Sequence, residues 1–198
     1  MSLILVTLFT NFNAEEFLAL VAGLLIIIAQ VLYIINTFKR KVQPSILSWL
    51  GWAILTGTSL VSQFMVAGWK WDFTGLFLST VGCVIVSIVA ISNNNFSLRK
   101  KDWQFVILGF ICMGIYLASK NPWATTIFAI FADLILGVPT IRKAYLNPDS
   151  EKSSAWLIGL ISWTFTLFIC VNHGLLFSLF PLYLFLFNVT MVYLTSKK

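Results

Sequence analysis

The sequence predicts an all-α integral membrane protein of seven transmembrane helices, arranged as two parallel three-helix bundles joined by a linker helix. Three observations carry this: the composition, the division of the chain into apolar runs of spanning length, and the one-sidedness of its charge. Of 198 residues, 59% are hydrophobic and 10% charged, whereas a soluble domain carries about 25% charged residues. So little charge cannot cover a surface in water, and the expected solvent is a lipid bilayer. The net charge of +6 does not point to nucleic acid. The basic residues stand in short clusters between apolar runs and mark one side of a membrane.

A spanning helix needs about 20 mostly apolar residues. Such runs are expected at 14–38, 44–67, 71–91, 103–119, 122–141, 155–171 and 175–194. Pro44 and Pro122 fall at helix starts, where a missing N–H costs little. The run Leu3–Phe9 is too short to span and reads as an interfacial or extended approach to the first helix, without a cleavage site. Lys39, Arg40, Lys41, Arg99, Lys100, Lys101, Arg142, Lys143, Lys152, Lys197 and Lys198 would share one side, and Lys70 and Lys120 the other. That is eleven against two of the thirteen basic residues. Basic residues near helix ends stay cytoplasmic, which puts the N-terminus outside and the C-terminus in the cytoplasm. An odd number of spans is needed to keep that split. Trp69, Trp71, Trp103 and Trp123 fall at helix ends as an interfacial belt.

The first and fifth helices align without a gap, Ala29-Gln30 on Ala132-Asp133, Thr37 on Thr140, and Lys39-Arg40 on Arg142-Lys143. Each is followed by a polar loop and a Trp-bearing helix, Ser48-Trp49-Leu50-Gly51-Trp52 in one half and Ser162-Trp163 in the other. The pattern is a parallel repeat of three helices, one linker, then three more. It divides the chain into a first bundle at 1–93, a cytoplasmic loop and linker helix at 94–120, and a second bundle at 121–198.

The basic, proline-containing segment Pro139-Thr140-Ile141-Arg142-Lys143-Ala144-Tyr145, followed by Pro148 and Ser150-Glu151, resembles the PQ-loop and SWEET transporter superfamily. In the first half Asn36 takes the proline position, and the nearest dipeptide is Gln43-Pro44. The resemblance implies a transporter, with Pro139 as a hinge and with Trp163 and Asn188 flanking the substrate. Related families move sugars, cystine and vitamins, or retrieve proteins by a carboxy-terminal signal.

Among individual residues Asp133 is the most informative. It falls about midway along its helix, where a carboxylate costs roughly 2.5–3.5 kcal/mol on insertion scales. Its functional reading is a proton or cation site; its bland reading is a protonated acid bonded to a neighbouring helix. Gly137 and Thr140 follow on the same face. Polar stripes at helical spacing are Trp52, Thr56, Ser59 and Gln63; Gln30, Tyr33 and Thr37; Thr80, Cys83 and Ser87; and Trp163, Thr166 and Cys170. Singly these are glue between helices, and together they favour an internal polar path. Cys83, Cys112 and Cys170 form no disulfide or metal pattern.

The expected function is movement of a small polar or cationic solute, sugar, amino acid or vitamin-like, by alternating access. Asp133, Gln30, Trp52, Trp163 and Asn188 would line the site, and Pro139 and Pro181 would supply bends, since each removes a helical hydrogen bond. Proton coupling would run through Asp133. The alternative is a non-transporting receptor or scaffold of the same fold. No catalytic residues, metal or cofactor are expected, because no nucleophile is paired with a base and no phosphate-cradling glycine loop is present. No mid-membrane lysine stands in the last helix to hold retinal. Homo-oligomerisation is left open, and short loops suggest a bacterial inner membrane.

Overall fold

The computed structural model describes residues 14–67 and 74–196. The readings placed on Leu3–Phe9, Trp69, Lys70, Trp71, Lys197, Lys198 and the side chain of Gln63 lie outside that description. Among the described residues the chain forms seven α-helices: α1 (Ala14–Phe38), α2 (Ile46–Ala67), α3 (Thr74–Ser92), α4 (Trp103–Ala118), α5 (Pro122–Leu146), α6 (Ser154–Val171) and α7 (Leu175–Ser196). Single turns of 3-10 helix at Lys100–Asp102 and Pro148–Glu151 precede α4 and α6.

Local sequence explains the ends. Asn121 caps α5 by accepting from the N–H groups of Trp123 and Ala124, with Pro122 at the first helical position. Ser153 caps α6 by accepting from the Ala155 N–H at 3.2 Å. Gly174 turns the chain between α6 and α7 at φ 106°, a conformation that suits a residue without a Cβ. Pro44 lies two residues before α2 rather than at its start.

Five stretches are long and apolar enough to cross a membrane: Ala14–Phe38, Lys100–Ala118, Pro122–Leu146, Ser154–Val171 and Leu175–Ser196. α2 and α3 add shorter apolar stretches, Ile46–Val61 and Phe77–Ser92. The outer surface suits lipid: Phe17, Met65, Ile107, Phe168 and Leu175 are all more than half exposed, which water would penalise heavily.

α5 runs five residues beyond its expected end at Ile141 and carries Arg142 and Lys143 inside the helix. It continues through Pro139, as α7 continues through Pro181. The two prolines leave the carbonyls of Ile135 and Phe177 without their usual helical donors.

α3 packs between α1 and α2, and α7 packs between α5 and α6. Across these groups α1 lies along α6, and α2 lies against α5; α4 packs on α5 and touches α2. Small residues allow the close approaches. A Cβ on Gly51 of α2 would fall 2.6 Å from Leu136 of α5, and one on Gly109 of α4 would fall 2.7 Å from the same side chain. Leu136 is thus held between two glycines, an arrangement common where helices pack within lipid.

Candidate functional site

The buried face of α5 reads Ala132, Asp133, Leu136, Gly137, Thr140, Lys143 and Ala144, steps of three and four that keep one side of a helix inward. Asp133 is 7% exposed. It lies eleven residues from Pro122 and thirteen from Leu146, near the middle of a helix about 37 Å long at 1.5 Å per residue. Its Oδ2 accepts a 2.6 Å hydrogen bond from the hydroxyl of Tyr183 on α7. Its backbone carbonyl accepts from the indole N–H of Trp52 on α2 at 3.1 Å. The indole reaches that carbonyl because the residue one turn on is Gly137. A Cβ there would fall 3.1 Å from Trp52 and 2.7 Å from Phe187.

Trp52 belongs to a closed ring of five aromatic side chains. Ring centroids are 5.4 Å apart for Trp52–Trp49, 4.5 Å for Trp49–Tyr33, 5.6 Å for Tyr33–Trp156, 6.1 Å for Trp156–Phe187 and 5.7 Å for Phe187–Trp52. These are the separations at which aromatic pairs attract beyond simple burial. The ring draws on α1, α2, α6 and α7, and Tyr183 touches its Phe187 edge at 6.2 Å.

On the ring's other side, toward the basic end of the bundle, lies a second buried carboxylate. Glu151 is fully buried. Its Oε1 pairs with Lys143 Nζ at 2.5 Å, its Oε2 accepts from the Tyr33 hydroxyl at 2.6 Å, and its carbonyl accepts from the Trp156 indole at 3.1 Å. Burial pushes the Glu151 carboxyl above its ordinary range, and Lys143, Tyr33 and Trp156 pull partly against that. Removing a carboxylate from water costs several kcal/mol, so this group persists because its charge is met on both oxygens.

The five expected lining residues fare differently. Asp133 and Trp52 come together directly. Asn188 is buried one position from Phe187; its amide donates to the Leu184 carbonyl at 2.8 Å, and its oxygen lies 2.7 Å from where a Cβ on Gly159 would be. Gln30 is half-buried with its amide against Gly82 of α3. Trp163 is half-buried beside Ser162, whose hydroxyl donates to the Ala22 carbonyl at 2.7 Å. Among the described residues no hydrogen bond joins Trp163 to the other four. Trp49 and Trp156, rather than Trp52 and Trp163, meet on a common partner, Tyr33.

The polar stripe on α2 is shared among its neighbours. Trp52 bonds α5; Thr56 accepts from Thr80 of α3 at 2.9 Å; and Ser59 accepts from Tyr116 of α4 at 3.1 Å. Three of the four positions, Trp52, Thr56 and Ser59, therefore join helices. Lys143, read from the sequence as part of a cytoplasmic basic cluster, is instead 4% exposed and ion-paired within the protein. The available signal was its position: it continues the Asp133 face at ten residues, close to three helical turns.

Tyr183 and Glu151 are the residues that sequence reasoning passed over. Tyr183 stands five residues before Asn188, the polar residue of this largely apolar helix that drew the attention. Glu151 entered the sequence reading only as part of the proline-containing segment that carries the family resemblance, with no role of its own. Comparison of the chain with protein-family models, with curated proteins and with solved structures returns no match.

Proposed function

We propose that this chain is a membrane transporter that moves a small polar or cationic solute by alternating access around Asp133. In this reading residues 1–93 and 121–198 are the two three-helix bundles and α4 is their linker, as in the PQ-loop and SWEET families that the segment Pro139–Tyr145 resembles. The N-terminus faces outside and the C-terminus the cytoplasm, so that the basic end of the bundle is cytoplasmic.

The observation that carries the reading is Asp133 itself. A carboxylate buried halfway along a spanning helix is costly, and here a single tyrosine hydroxyl meets it, beside aromatic faces that suit a cation or a sugar ring. The helix neighbours add support. α1–α3 and α5–α7 pack in the same order, with the third helix of each set in the middle, and the two cross-set pairs, α1 with α6 and α2 with α5, are counterparts. A twofold axis along the membrane normal produces that pattern. Trp52 and Asn188 would line the site beside Asp133, Gln30 and Trp163 would extend it, and Pro139 and Pro181 would let α5 and α7 bend.

The test is a thermal-shift screen of purified protein against sugars, amino acids, polyamines and vitamins at two pH values, followed by flux of any hit in liposomes. A ligand at ten times its dissociation constant stabilises by about 1.4 kcal/mol if it binds the folded state alone. Asp133→Asn should remove both the shift and the flux while the protein remains folded. Binding without flux would favour a receptor of the same fold, and flux with unchanged pH dependence in Asp133→Asn would remove the coupling role.

A further inference from the structure

Three hydrogen bonds at the basic end run from the first helix set to the short segment between α5 and α6. Tyr33 Oη donates to Glu151 at 2.6 Å, Asn36 Nδ2 donates to Ser153 Oγ at 2.9 Å, and the Gln43 N–H donates to the Ser150 carbonyl at 2.8 Å. All three land within four consecutive residues. That segment is fastened to its own helix set by the Lys143–Glu151 pair and by the Trp156 indole on the Glu151 carbonyl. Directly behind it, the five-membered aromatic ring fills the space between Glu151 and Asp133. The opposite end is tied differently. There Glu15 Oε2 and His173 Nε2 lie 3.3 Å apart across the two sets, with both side chains about half exposed.

We propose that Glu151, clamped by Lys143 and grasped by Tyr33, is the keystone of a latch that closes the basic end of the protein beneath Asp133. The aromatic ring is the plug that this latch holds shut. When the two helix sets rock, contacts within a set persist and contacts across sets must break. Tyr33, Asn36 and Gln43 make the crossing contacts here, whereas Lys143 and Glu151 both stay with the second set. The ion pair therefore presents a fixed carboxylate, and the tyrosine hydroxyl is the part that lets go. Lys143 and Tyr33 are the titratable groups that contact Glu151, and Asn36 and Ser153 brace the same seam. The latch rests on the alternating-access reading for its purpose but not for its test, which measures access and needs no solute.

Cys83 of α3 reports that access. It is buried in the same core cluster as Trp52 and Tyr33, and Cys112 and Cys170 can be replaced by alanine to leave it alone. In sealed vesicles a membrane-impermeant maleimide is offered to one face at a time. Tyr33→Phe keeps the ring and removes the hydroxyl, and should speed labelling from the basic end about tenfold or more, the effect of losing a hydrogen bond to a charged group. Labelling from the opposite face should not change. Glu151→Gln should act in the same direction, and Tyr33→Phe alone decides the matter if that variant does not fold. A disulfide across Asn36→Cys and Ser153→Cys, formed in the Tyr33→Phe protein, should return labelling to the parental rate, and reductant should release it. Unchanged labelling in folded Tyr33→Phe, or an equal rise from both faces, would overturn the latch. Faster one-sided labelling in a protein that moves no solute would keep the latch and overturn the transporter.

Discussion

Gly137→Ala tests whether the aromatic ring is as tightly built as the distances indicate. The new Cβ would fall 2.7 Å from Phe187 Cε2 and 3.1 Å from Trp52 Cζ2, whereas carbon atoms rest about 3.5–4.0 Å apart. Neither neighbour is a flexible tip. Phe187 is held between Trp52 and Trp156, and Trp52 is held by its hydrogen bond to Asp133. Overpacking of this kind costs about 1–3 kcal/mol. Alanine is also a better helix former than glycine by about 1 kcal/mol, so the variant needs a reference that gains the same amount. Gly114→Ala in α4 supplies it, because nothing lies within 4 Å of its Cβ position. The difference between the two variants isolates the packing term at about 2 kcal/mol, or about 4–8 °C in melting temperature for a chain of this size. The assay is a thermal melt of both variants in detergent. Gly82→Ala should sit near the reference although its Cβ would fall on Gln30 Oε1, since that amide is the free end of a long side chain and can move. Equal melting of Gly137→Ala and Gly114→Ala would refute the rigid ring, and with it the plug between Asp133 and Glu151.

Two further outcomes follow from the buried acid at the basic end. Lys143→Met leaves the Glu151 carboxylate without its cation and should cost about 3–5 kcal/mol, read as a lower melting temperature; the double variant Lys143→Met, Glu151→Gln should recover most of that loss, and a double variant no better than the single would show that the pair is not coupled. Burial raises the Glu151 carboxyl above its ordinary value of 4.5, so just above that pH the folded protein holds a proton that the unfolded chain has released. Stability from this group is therefore lost as pH rises through the window between the unfolded and folded values. The melting temperature of the parent relative to Glu151→Gln should fall across that window, and a difference that rises or stays flat would contradict it.

Much of the fold was legible because hydropathy, run length and capping are local. The stretch after Pro122 had to be helical and apolar whatever packed against it, and Asp133 had to fall near its middle. Pairings between distant residues were not legible. Trp52 and Asp133 meet across 81 residues, and Tyr33 and Glu151 across 118; each is decided by how helices pass one another, and a glycine at 137 matters only once an indole is known to lie over it. Lys143 is the clearest case. Charge counting treats every lysine near a helix end as solvent-facing, because water is the usual partner for an ammonium group. Only the tertiary structure, by extending α5 to Leu146 and folding Glu151 back beneath it, supplies a partner inside the protein. The sequence by itself determined which segments leave water and where one carboxylate sits among them. The packing decided which charges are met by protein rather than by water, because that depends on a second residue, distant in the chain, arriving within hydrogen-bonding reach.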